Sequence, residues 1–257
     1  MKPLVSVVMS VYNGEKYLKR AIDSILNQTF ENFEFIIIND GSVDKSLEII
    51  KSYKDSRTVL IDQENKGLTK SLNIGIKKSK GKYIARQDVD DVSLPDRLKK
   101  QVDFLEKRED VVLLGCRAYE IVGKKKILSR FFKEEDLKDV VKKFNPFIHS
   151  SVMFRKDKFL EIGLYDESFK TSQDYDAWIR LSQIGNISML DEPLVEYYVL
   201  NDSVTAKKRL TQCVTSFKIR EKNKTISRFK NFLYAFYQYF SGYIPTWAVE
   251  LKRSIKD

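Results

Sequence analysis

The stretch that decides the fold is Gly81-Lys82-Tyr83-Ile84-Ala85-Arg86-Gln87-Asp88-Val89-Asp90-Asp91. Its first five residues predict a buried strand, and its last four include three carboxylates. Carboxylates this close raise each other's pKa unless a cation lies among them. Mg²⁺ and Mn²⁺ prefer oxygen ligands, and Mg²⁺ is usually bound by one or two carboxylates together with substrate phosphates. The stretch therefore predicts a strand that ends at a metal-bound diphosphate, with a solvated acidic turn as the alternative.

Apolar runs and helical patterns alternate around this strand. The strand-like runs lie at 4–10, 33–38, 58–61, 82–85 and 111–114. The helical patterns lie between them, at about 15–27, 44–54, 67–79 and 95–108. Strands that are apolar on both faces and alternate with helices predict an α/β fold, with a parallel sheet covered by helices.

Polar segments follow three of these strands: Ser10-Val11-Tyr12-Asn13, Asn39-Asp40-Gly41-Ser42 and the acidic stretch 88–91. Ligands of parallel sheets bind beyond the carboxyl ends of the strands. We therefore expect the functional site at this edge. The second segment is also typical of a turn in which Asp or Ser caps the next helix.

After residue 115 the pattern changes. Short strand-like pieces at 116–122, 127–132 and 149–154 precede or surround a charged helix at about 134–143, and another helix follows at about 172–183. We interpret 1–204 as one domain with two halves, divided between residues 115 and 116.

Residues 205–257 form a third region that is basic and aromatic. It holds twelve Lys or Arg against three acids, so it carries +9 of the total net charge of +10. Helical spacing relates five of its residues: Phe229, Leu233, Phe236, Phe240 and Tyr243. We expect an amphipathic helix here that Gly242 and Pro245 end or kink.

The composition predicts a folded protein in a reducing compartment. The chain has 257 residues, of which 42% are hydrophobic and 12% aromatic, which is ample for a packed core. Cys116 and Cys213 form no disulfide framework. The N-terminal apolar run contains two serines and no cleavage site, and no stretch has the roughly 20 apolar residues of a spanning helix. We expect a cytoplasmic enzyme.

Seven short stretches resemble one known family. They are VSVVMSVYNG at 5–14, SILNQTF at 24–30, NDGS at 39–42, NKGL at 65–68, ARQDVDD at 85–91, HSSVMFR at 149–155 and QDYDAW at 173–178. In order and approximate spacing they resemble the family 2 glycosyltransferases, which are inverting enzymes with a GT-A-type fold and nucleotide-sugar donors. The likeness covers about residues 4–200. It implies a nucleotide-sugar half at 1–115 and an acceptor half at 116–204.

The resemblance implies which residues bind the nucleotide sugar. Ser10, Tyr12 and Asp40 would hold the nucleoside, with the Tyr12 ring against the base and Asp40 accepting a base N–H. Asp88 would contact the ribose or the nucleotide. Tyr12 packed beneath the first helix is the structural alternative.

The resemblance also implies the metal and the catalytic base. Asp90 would bind Mn²⁺ or Mg²⁺ with support from Asp91, and Asp174 stands in the place of the general base. Near a helix N-terminus a carboxylate is also favourable without catalysis. His149 is the only histidine of the chain; it either faces the donor diphosphate or acceptor or has a structural role.

Three positions depart from the family pattern. Gln173 stands where Glu is usual, and Leu72 stands where some relatives have an Arg toward the phosphates. The run Tyr197-Tyr198-Val199-Leu200 matches a place where relatives often read Y-R-x-H. Metal binding would then depend on fewer protein ligands, and we hypothesise that Lys207 to Arg209 compensate.

The implied activity is transfer of a sugar from a nucleoside-diphosphate donor, UDP by analogy, to an acceptor hydroxyl. A polyprenyl-linked glycan of surface polysaccharide synthesis is the acceptor that is consistent with the family's bacterial members. The region 205–257 would then contact anionic lipid at the inner face of the membrane. The alternative is an aromatic helix that packs on the catalytic domain or on a second subunit of a homo-oligomer, with solvated charges beside it.

Two other classes are less consistent with the sequence. A nucleotidyltransferase is expected to have a Gly-rich segment with Lys or Arg after the first strand, and 10–15 does not supply one. A nucleic-acid-binding protein would explain the basic aromatic region. It leaves the acidic stretch unexplained, because carboxylates repel phosphates without a metal, so we expect no nucleic-acid partner.

Overall fold

Four parallel strands form one half of the sheet in the computed structural model, which describes residues 2–199 and 209–240. They lie in the order β3-β2-β1-β4, with all pairs parallel. Their bounds are β1 (Val5–Val11), β2 (Phe33–Asp40), β3 (Thr58–Gln63) and β4 (Tyr83–Arg86). The helices that alternate with them and follow them are α1 (Glu15–Leu26), α2 (Ser46–Ser52), α3 (Leu68–Lys78) and α4 (Arg97–Lys107). The strands and helices predicted for this half are confirmed to within three residues.

Helices cover both faces of this sheet. Every residue of β1 and β2 is buried, as the continuous apolar runs predict. The apolar stripe of α1 packs on one face together with α4; its buried members are Leu18, Ala21, Ile22 and Ile25. The other face packs against α3 through Leu72 and Ile76.

The second half of the sheet is mixed, a pairing pattern that the sequence did not predict. The strand β8 (Met153–Arg155) pairs antiparallel with both β4 and β6 (Val111–Val122). Beyond β6 lie β9 (Asn186–Tyr198), which is parallel to β6, and the two-residue β5 (Val92–Ser93). A hairpin joins β6 to β7 (Lys125–Leu128).

Three helices and one 3₁₀ turn complete this half. They are α5 (Glu134–Val141), the 3₁₀ turn His149–Ser151, α6 (Lys156–Glu161) and α7 (Gln173–Ile184). The predicted strand 116–122 is the second part of β6, and the predicted strand 149–154 is the 3₁₀ turn followed by β8. The strand predicted at 127–132 is β7, which ends four residues earlier. The proposed division of the domain falls within β6.

The described part of the C-terminal region is a helical hairpin, α8 (Arg209–Lys222) and α9 (Arg228–Phe240). Ile219 of α8 is fully buried in the main core, and Lys222 Nζ lies 2.8 Å from Asp166 Oδ2. α8 therefore packs on the catalytic domain. The alternatives concern the aromatic helix, which is α9, and they stay predictions. The predicted aromatic helix is confirmed as far as residue 240, and Gly242, Tyr243 and Pro245 lie outside the described residues.

Cys116 and Cys213 are both buried and form no disulfide with each other. Across residues 2–199 and 209–240 no helix has the length and apolar character needed to cross a membrane. The predicted boundary between residues 204 and 205 lies outside the described residues, as do Leu200, Lys207 and Lys208.

Candidate active site

The predicted polar segments meet at one edge of the sheet. β1 pairs in register with β2 up to Val11 opposite Asn39, and with β4 up to Val8 opposite Arg86. The segments that follow these strands are therefore neighbours. Ser10 is buried at the end of β1, whereas the side chain of Tyr12 is 55% exposed. Tyr12 is thus not packed beneath α1, and its ring is accessible to a ligand.

The acidic loop, residues Asp88–Asp91, holds two carboxylates whose pKa values are raised by burial and by the neighbouring negative charges. Burial, together with the charge of Asp88, raises the pKa of Asp90 to about 6. Burial also raises the pKa of Asp91, and the charges of Asp88 and Asp90 add to the effect. Arg86 Nη2 donates a hydrogen bond of 2.5 Å to Asp88 Oδ1. Asp88 therefore has a cationic partner, and Asp90 is the carboxylate of the loop that a further cation would stabilise.

Asp91 lies beneath the loop and is only 1% exposed. Its Oδ1 accepts the backbone N–H of Tyr198 at 3.0 Å, and its Oδ2 accepts the hydroxyl of Ser150. Because protein donors already engage both oxygens, this placement favours a structural role for Asp91 over the predicted role of metal ligand.

Two buried arginines lie under the acidic loop. Arg86 is 1% exposed, and Arg97 of α4 is fully buried. Arg97 donates to the carbonyl of Arg86 at 2.8 Å and to Ser93 Oγ at 2.8 Å. Burial lowers the pKa of Arg97 to about 10, so it remains charged at neutral pH. Neither residue was predicted, although a charged residue inside an apolar strand, such as Arg86, signals a buried partner.

The residues present fit a divalent cation that takes some of its ligands from the protein and the others from a substrate. Within the described ranges no three acidic, His or Cys side chains converge on one metal position. Mg²⁺ rarely needs such a cage, because it keeps waters and binds one or two carboxylates with substrate phosphates. Asp90, half-buried and with a raised pKa, supplies one such carboxylate.

Asp40 anchors the loop that leads into α3. It is 2% exposed, and its carboxylate accepts the backbone N–H of Lys66 at 2.8 Å and of Gly67 at 2.9 Å. Gln63 Nε2 adds a third hydrogen bond of 2.9 Å. Gly67 has a φ of +86°, a conformation that favours glycine. The aspartate is therefore largely satisfied within the protein, and binding of a base N–H by Asp40 stays a prediction.

Asp174 lies in the first turn of α7 and is only partly buried. Asn145 Nδ2 donates to its Oδ2 at 2.7 Å, and the Asn145 amide is itself oriented because its Oδ1 accepts the N–H of Phe147 at 3.1 Å. One oxygen of Asp174 is thus held by a neutral donor. Sequence reasoning missed Asn145, which has no motif of its own.

Asp176, two residues further along α7, has a different environment. It is fully buried and accepts hydrogen bonds from Arg180 at 2.7 Å, Lys222 at 3.2 Å and Asn223 at 3.1 Å. Two cations and an amide therefore satisfy the oxygens of this carboxylate, and these contacts connect α7 to α8. Of the two aspartates of α7, only Asp174 is open to a substrate.

His149 lies between the acidic loop and α7. Its Nε2 is 2.9 Å from the Tyr165 hydroxyl, and its ring meets the Trp178 ring edge-on with centroids 6.0 Å apart. Burial lowers the pKa of His149 to about 4, with a further contribution from the charge of Arg86, so the ring is neutral at pH 7. The charges of Asp88 and Asp174 act on the same ring in the opposite direction. Asp88 of the loop and Asp174 at the start of α7 therefore both act on His149, which belongs to an aromatic cluster with Tyr165 and Trp178.

The sequence matches a known family over most of its length. Residues 6–163 match the family described as glycosyl transferase family 2. The chain is 38% identical to an uncharacterized glycosyltransferase of Methanocaldococcus jannaschii, in an alignment that covers 100% of this chain and 94% of that protein. It is 36% identical to the putative glycosyltransferase EpsE of Bacillus subtilis, over 80% of this chain and 76% of EpsE. It is 30% identical to the amylovoran biosynthesis glycosyltransferase AmsE of Erwinia amylovora, over 80% of each chain.

Solved structures share the fold at lower identity. S. aureus TarS 1-349 in complex with UDP-GlcNAc superposes with a TM-score of 0.74 at 17% identity, covering 92% of this chain and 72% of that one. The mannosyltransferase PcManGT from Pyrobaculum calidifontis, in complex with GDP-Man and Mn²⁺, gives a TM-score of 0.69 at 16% identity, covering 93% and 70%. The sheet is thus of the GT-A type, and the chain belongs to glycosyltransferase family 2.

Proposed function

We propose that this glycosyltransferase moves a sugar, with inversion, from a nucleoside-diphosphate donor to an acceptor hydroxyl. The observation that carries the proposal is that Asp88 of the acidic loop and Asp174 of α7 both act electrostatically on His149. We infer from this that Asp90, two residues from Asp88, and Asp174 belong to one site. One carboxylate has a raised pKa that a cation would relieve, and the other keeps an oxygen open at the start of α7. A reaction that needs a metal-bound leaving group and a general base fits this pair.

The donor would lie across the edge formed by β1, β2 and β4. Tyr12 offers its exposed ring to the base, Ser10 and Asp40 lie on the nucleoside side, and Asp88, fixed by Arg86, faces the ribose. The TarS structure contains UDP-GlcNAc and the PcManGT structure contains GDP-Man, which supports a nucleotide sugar. UDP is our proposal for the nucleotide.

Asp90 would bind Mn²⁺ or Mg²⁺ together with the donor diphosphate. Such a metal, when bound, neutralises the charge that develops on the leaving diphosphate. The Mn²⁺ in the PcManGT structure supports this assignment. Asp88 and Asp91 are already paired with protein donors, so Asp90 is the principal protein ligand in this proposal.

Asp174 would act as general base. It accepts the proton of the acceptor hydroxyl while that oxygen attacks the anomeric carbon, and the bond from this carbon to the diphosphate oxygen breaks. A single displacement inverts the configuration and needs no covalent intermediate. Asn145 holds one oxygen of Asp174 and leaves the other for the hydroxyl. General-base catalysis of this kind contributes roughly 10²–10⁴ in rate.

The decisive experiment is a thermal-shift panel of nucleotide sugars, each with and without Mn²⁺. We expect one donor, with a UDP-sugar as the first candidate, to raise the Tm, and Mn²⁺ to enlarge that shift. Release of the nucleoside diphosphate in the presence of acceptor then confirms transfer, and the anomeric signal of the product reports inversion. A panel in which no donor shifts the Tm would contradict the proposal.

For the acceptor we propose a lipid-linked glycan of polysaccharide synthesis, reached from the inner face of the membrane. The name of AmsE supports a role in polysaccharide synthesis. The outer face of α9 supports a membrane contact, because Phe229 is 74% exposed, Phe232 is 59% exposed, and Leu233 lies beside them. Lys224 and Lys230 lie nearby in the sequence, and each cation near anionic lipid is worth about 1 kcal/mol.

The membrane contact has a direct test in the full chain. The double variant Phe229→Ser/Phe232→Ser should lose most of its sedimentation with phosphatidylglycerol vesicles, because aromatic rings supply the interfacial anchor. Leu128→Ser, which changes an exposed residue of the β6–β7 hairpin, is the matched control and should sediment like the wild type. Undiminished vesicle binding by the double variant would refute this contact.

A further inference from the structure

An arginine of α1 reaches the acidic loop, which begins 68 residues later in the chain. Arg20 Nη2 donates a hydrogen bond of 2.7 Å to the backbone carbonyl of Asp90. Its guanidinium also lies over the ring of Tyr198, with 3.6 Å between the guanidinium carbon and the ring centroid. Arg20 is therefore in contact with both the loop and the last residue of β9.

Tyr198 is itself fixed on both sides. Its backbone N–H donates to Asp91 Oδ1 at 3.0 Å, and its hydroxyl donates to Glu196 at 3.2 Å. The ring therefore provides a rigid surface on which the planar guanidinium can lie. The acidic loop is consequently held between α1 and β9, with Arg20 on the Asp90 side and the Tyr198 backbone on the Asp91 side.

The contact brings a permanent positive charge to the loop. The charge of the Arg20 guanidinium acts on the Asp90 carboxylate. Tyr198 stands at the position where the family pattern often has Arg. The guanidinium at this point of the site comes from α1 instead of β9.

We propose that Arg20 is a positioning residue that fixes the backbone of Asp90, so that its carboxylate meets a metal bound to the donor diphosphate. This inference depends on the metal site of the proposed function. Residues that orient a metal ligand typically change metal affinity by about 10–100-fold when removed. The metal-dependent part of donor affinity should therefore depend on Arg20, and the metal-independent part should not.

The test compares calorimetric affinities for UDP, or for GDP if the thermal panel selects it, with and without Mn²⁺. Arg20→Met should lower the affinity measured with Mn²⁺ by about tenfold or more and leave the affinity without metal and the Tm of the apo protein close to wild type. Arg20→Lys should recover part of the loss, since it keeps the charge but not the planar stacking. Lys19→Gln, at an exposed neighbour on α1, is the matched control and should behave like wild type.

The ring contact has its own variants. Tyr198→Phe keeps the aromatic face and should bind Mn²⁺ and UDP as the wild type does. Tyr198→Leu should reproduce part of the Arg20→Met loss, and it should add little in the Arg20→Met background, because the two residues act through one contact. Full additivity of the two variants would overturn the proposed pairing.

Two outcomes separate this inference from the proposed function. If Mn²⁺ does not change the UDP or GDP affinity of the wild type, the proposed metal site is wrong and this inference with it. If the wild type responds to Mn²⁺ and Arg20→Met responds equally, only the role of Arg20 is wrong. Equal losses with and without metal would also overturn it, since they indicate a general structural defect.

Discussion

The end of β2 and the loop after β4 both place aspartates at the same edge of the sheet, but the protein satisfies them differently. Asp40 receives two backbone N–H groups and a side-chain amide, and it is almost fully buried. Burial, together with the charge of Asp88, raises the pKa of Asp90 to about 6. A carboxylate at such an edge is thus available to a ligand only where protein donors do not already satisfy its oxygens.

The same contrast recurs within α7. Asp176 is completed by Arg180, Lys222 and Asn223, whereas Asp174 receives one hydrogen bond from Asn145. The two carboxylates are two residues apart in one helix, so their sequence positions alone do not separate a structural acid from a candidate catalytic one. Their partners do.

The largest effect is expected at Asp174. Asp174→Asn removes the proposed base and keeps the shape of the side chain, so transfer should fall by roughly 10²–10⁴-fold while nucleotide binding remains. Initial rates and UDP affinity measure the two quantities. Asp176→Asn should instead lower the Tm, because it weakens two buried ion-pair contacts. Loss of donor binding in Asp174→Asn would assign Asp174 a structural role.

The next largest effect is expected at Asp40. Asp40→Ala leaves the N–H groups of Lys66 and Gly67 without an acceptor, and each unsatisfied group costs about 1–3 kcal/mol. We expect the free energy of unfolding in urea to fall by about 3 kcal/mol. Asp157→Ala, at an exposed position in α6, should change it by about 0.5 kcal/mol or less. Unchanged stability with weaker UDP binding would restore Asp40 as a base-binding residue.

His149 makes stability depend on pH. Its pKa is lowered from 6.5 to about 4 in the folded protein, so the unfolded chain binds a proton more readily. This contribution is complete above about pH 6.5 and is lost as the pH falls toward about 4, for a total of about 3 kcal/mol. Urea unfolding across this range should show it as the difference between wild type and His149→Gln. The raised pKa of Asp90 makes the folded state more stable as the pH falls, and this effect is the same in wild type and in His149→Gln. Parallel pH profiles would contradict the assignment.

The smallest effect on stability is expected at Asp90. Asp90→Asn removes a repelling charge from the loop, so the metal-free protein should be as stable as wild type or more stable by about 1 kcal/mol or less. The same variant should lose the additional thermal shift that Mn²⁺ gives with UDP, because a ligand that is no longer bound no longer stabilises. A destabilised apo protein would show that Asp90 belongs with Asp40 among the satisfied acids.

The first half of the fold was predictable because its signals are local. Each strand from β1 to β4 contains a short, largely apolar run, and α1 shows its buried stripe directly in the sequence. β9 was missed because Asp191, Glu192 and Pro193 resemble a turn. The structure accommodates them with a register shift, so that Cys116 pairs with Leu190 and Arg117 with Pro193.

The position of the site was also predictable, but the state of its carboxylates was not. The resemblance and the strand ends indicate where the aspartates lie. Whether each is satisfied depends on distant donors: Lys66 is 26 residues from Asp40, and Tyr198 is 107 residues from Asp91. Such partners have no signature in a single sequence, and neither does the buried arginine Arg97.

α7 and β9 form one continuous segment with only Gly185 between them, and this arrangement has a consequence for redesign. The segment carries Asp174 near one end and Tyr198 at the other, and a Cβ at Gly185 would lie 2.2 Å from Val112 Cγ1, so the junction tolerates no bulk. Segments that are exchanged between relatives should therefore lie outside 173–198, so that this segment stays intact. A single inserted residue in β9 would turn its following side chains to the opposite face of the sheet.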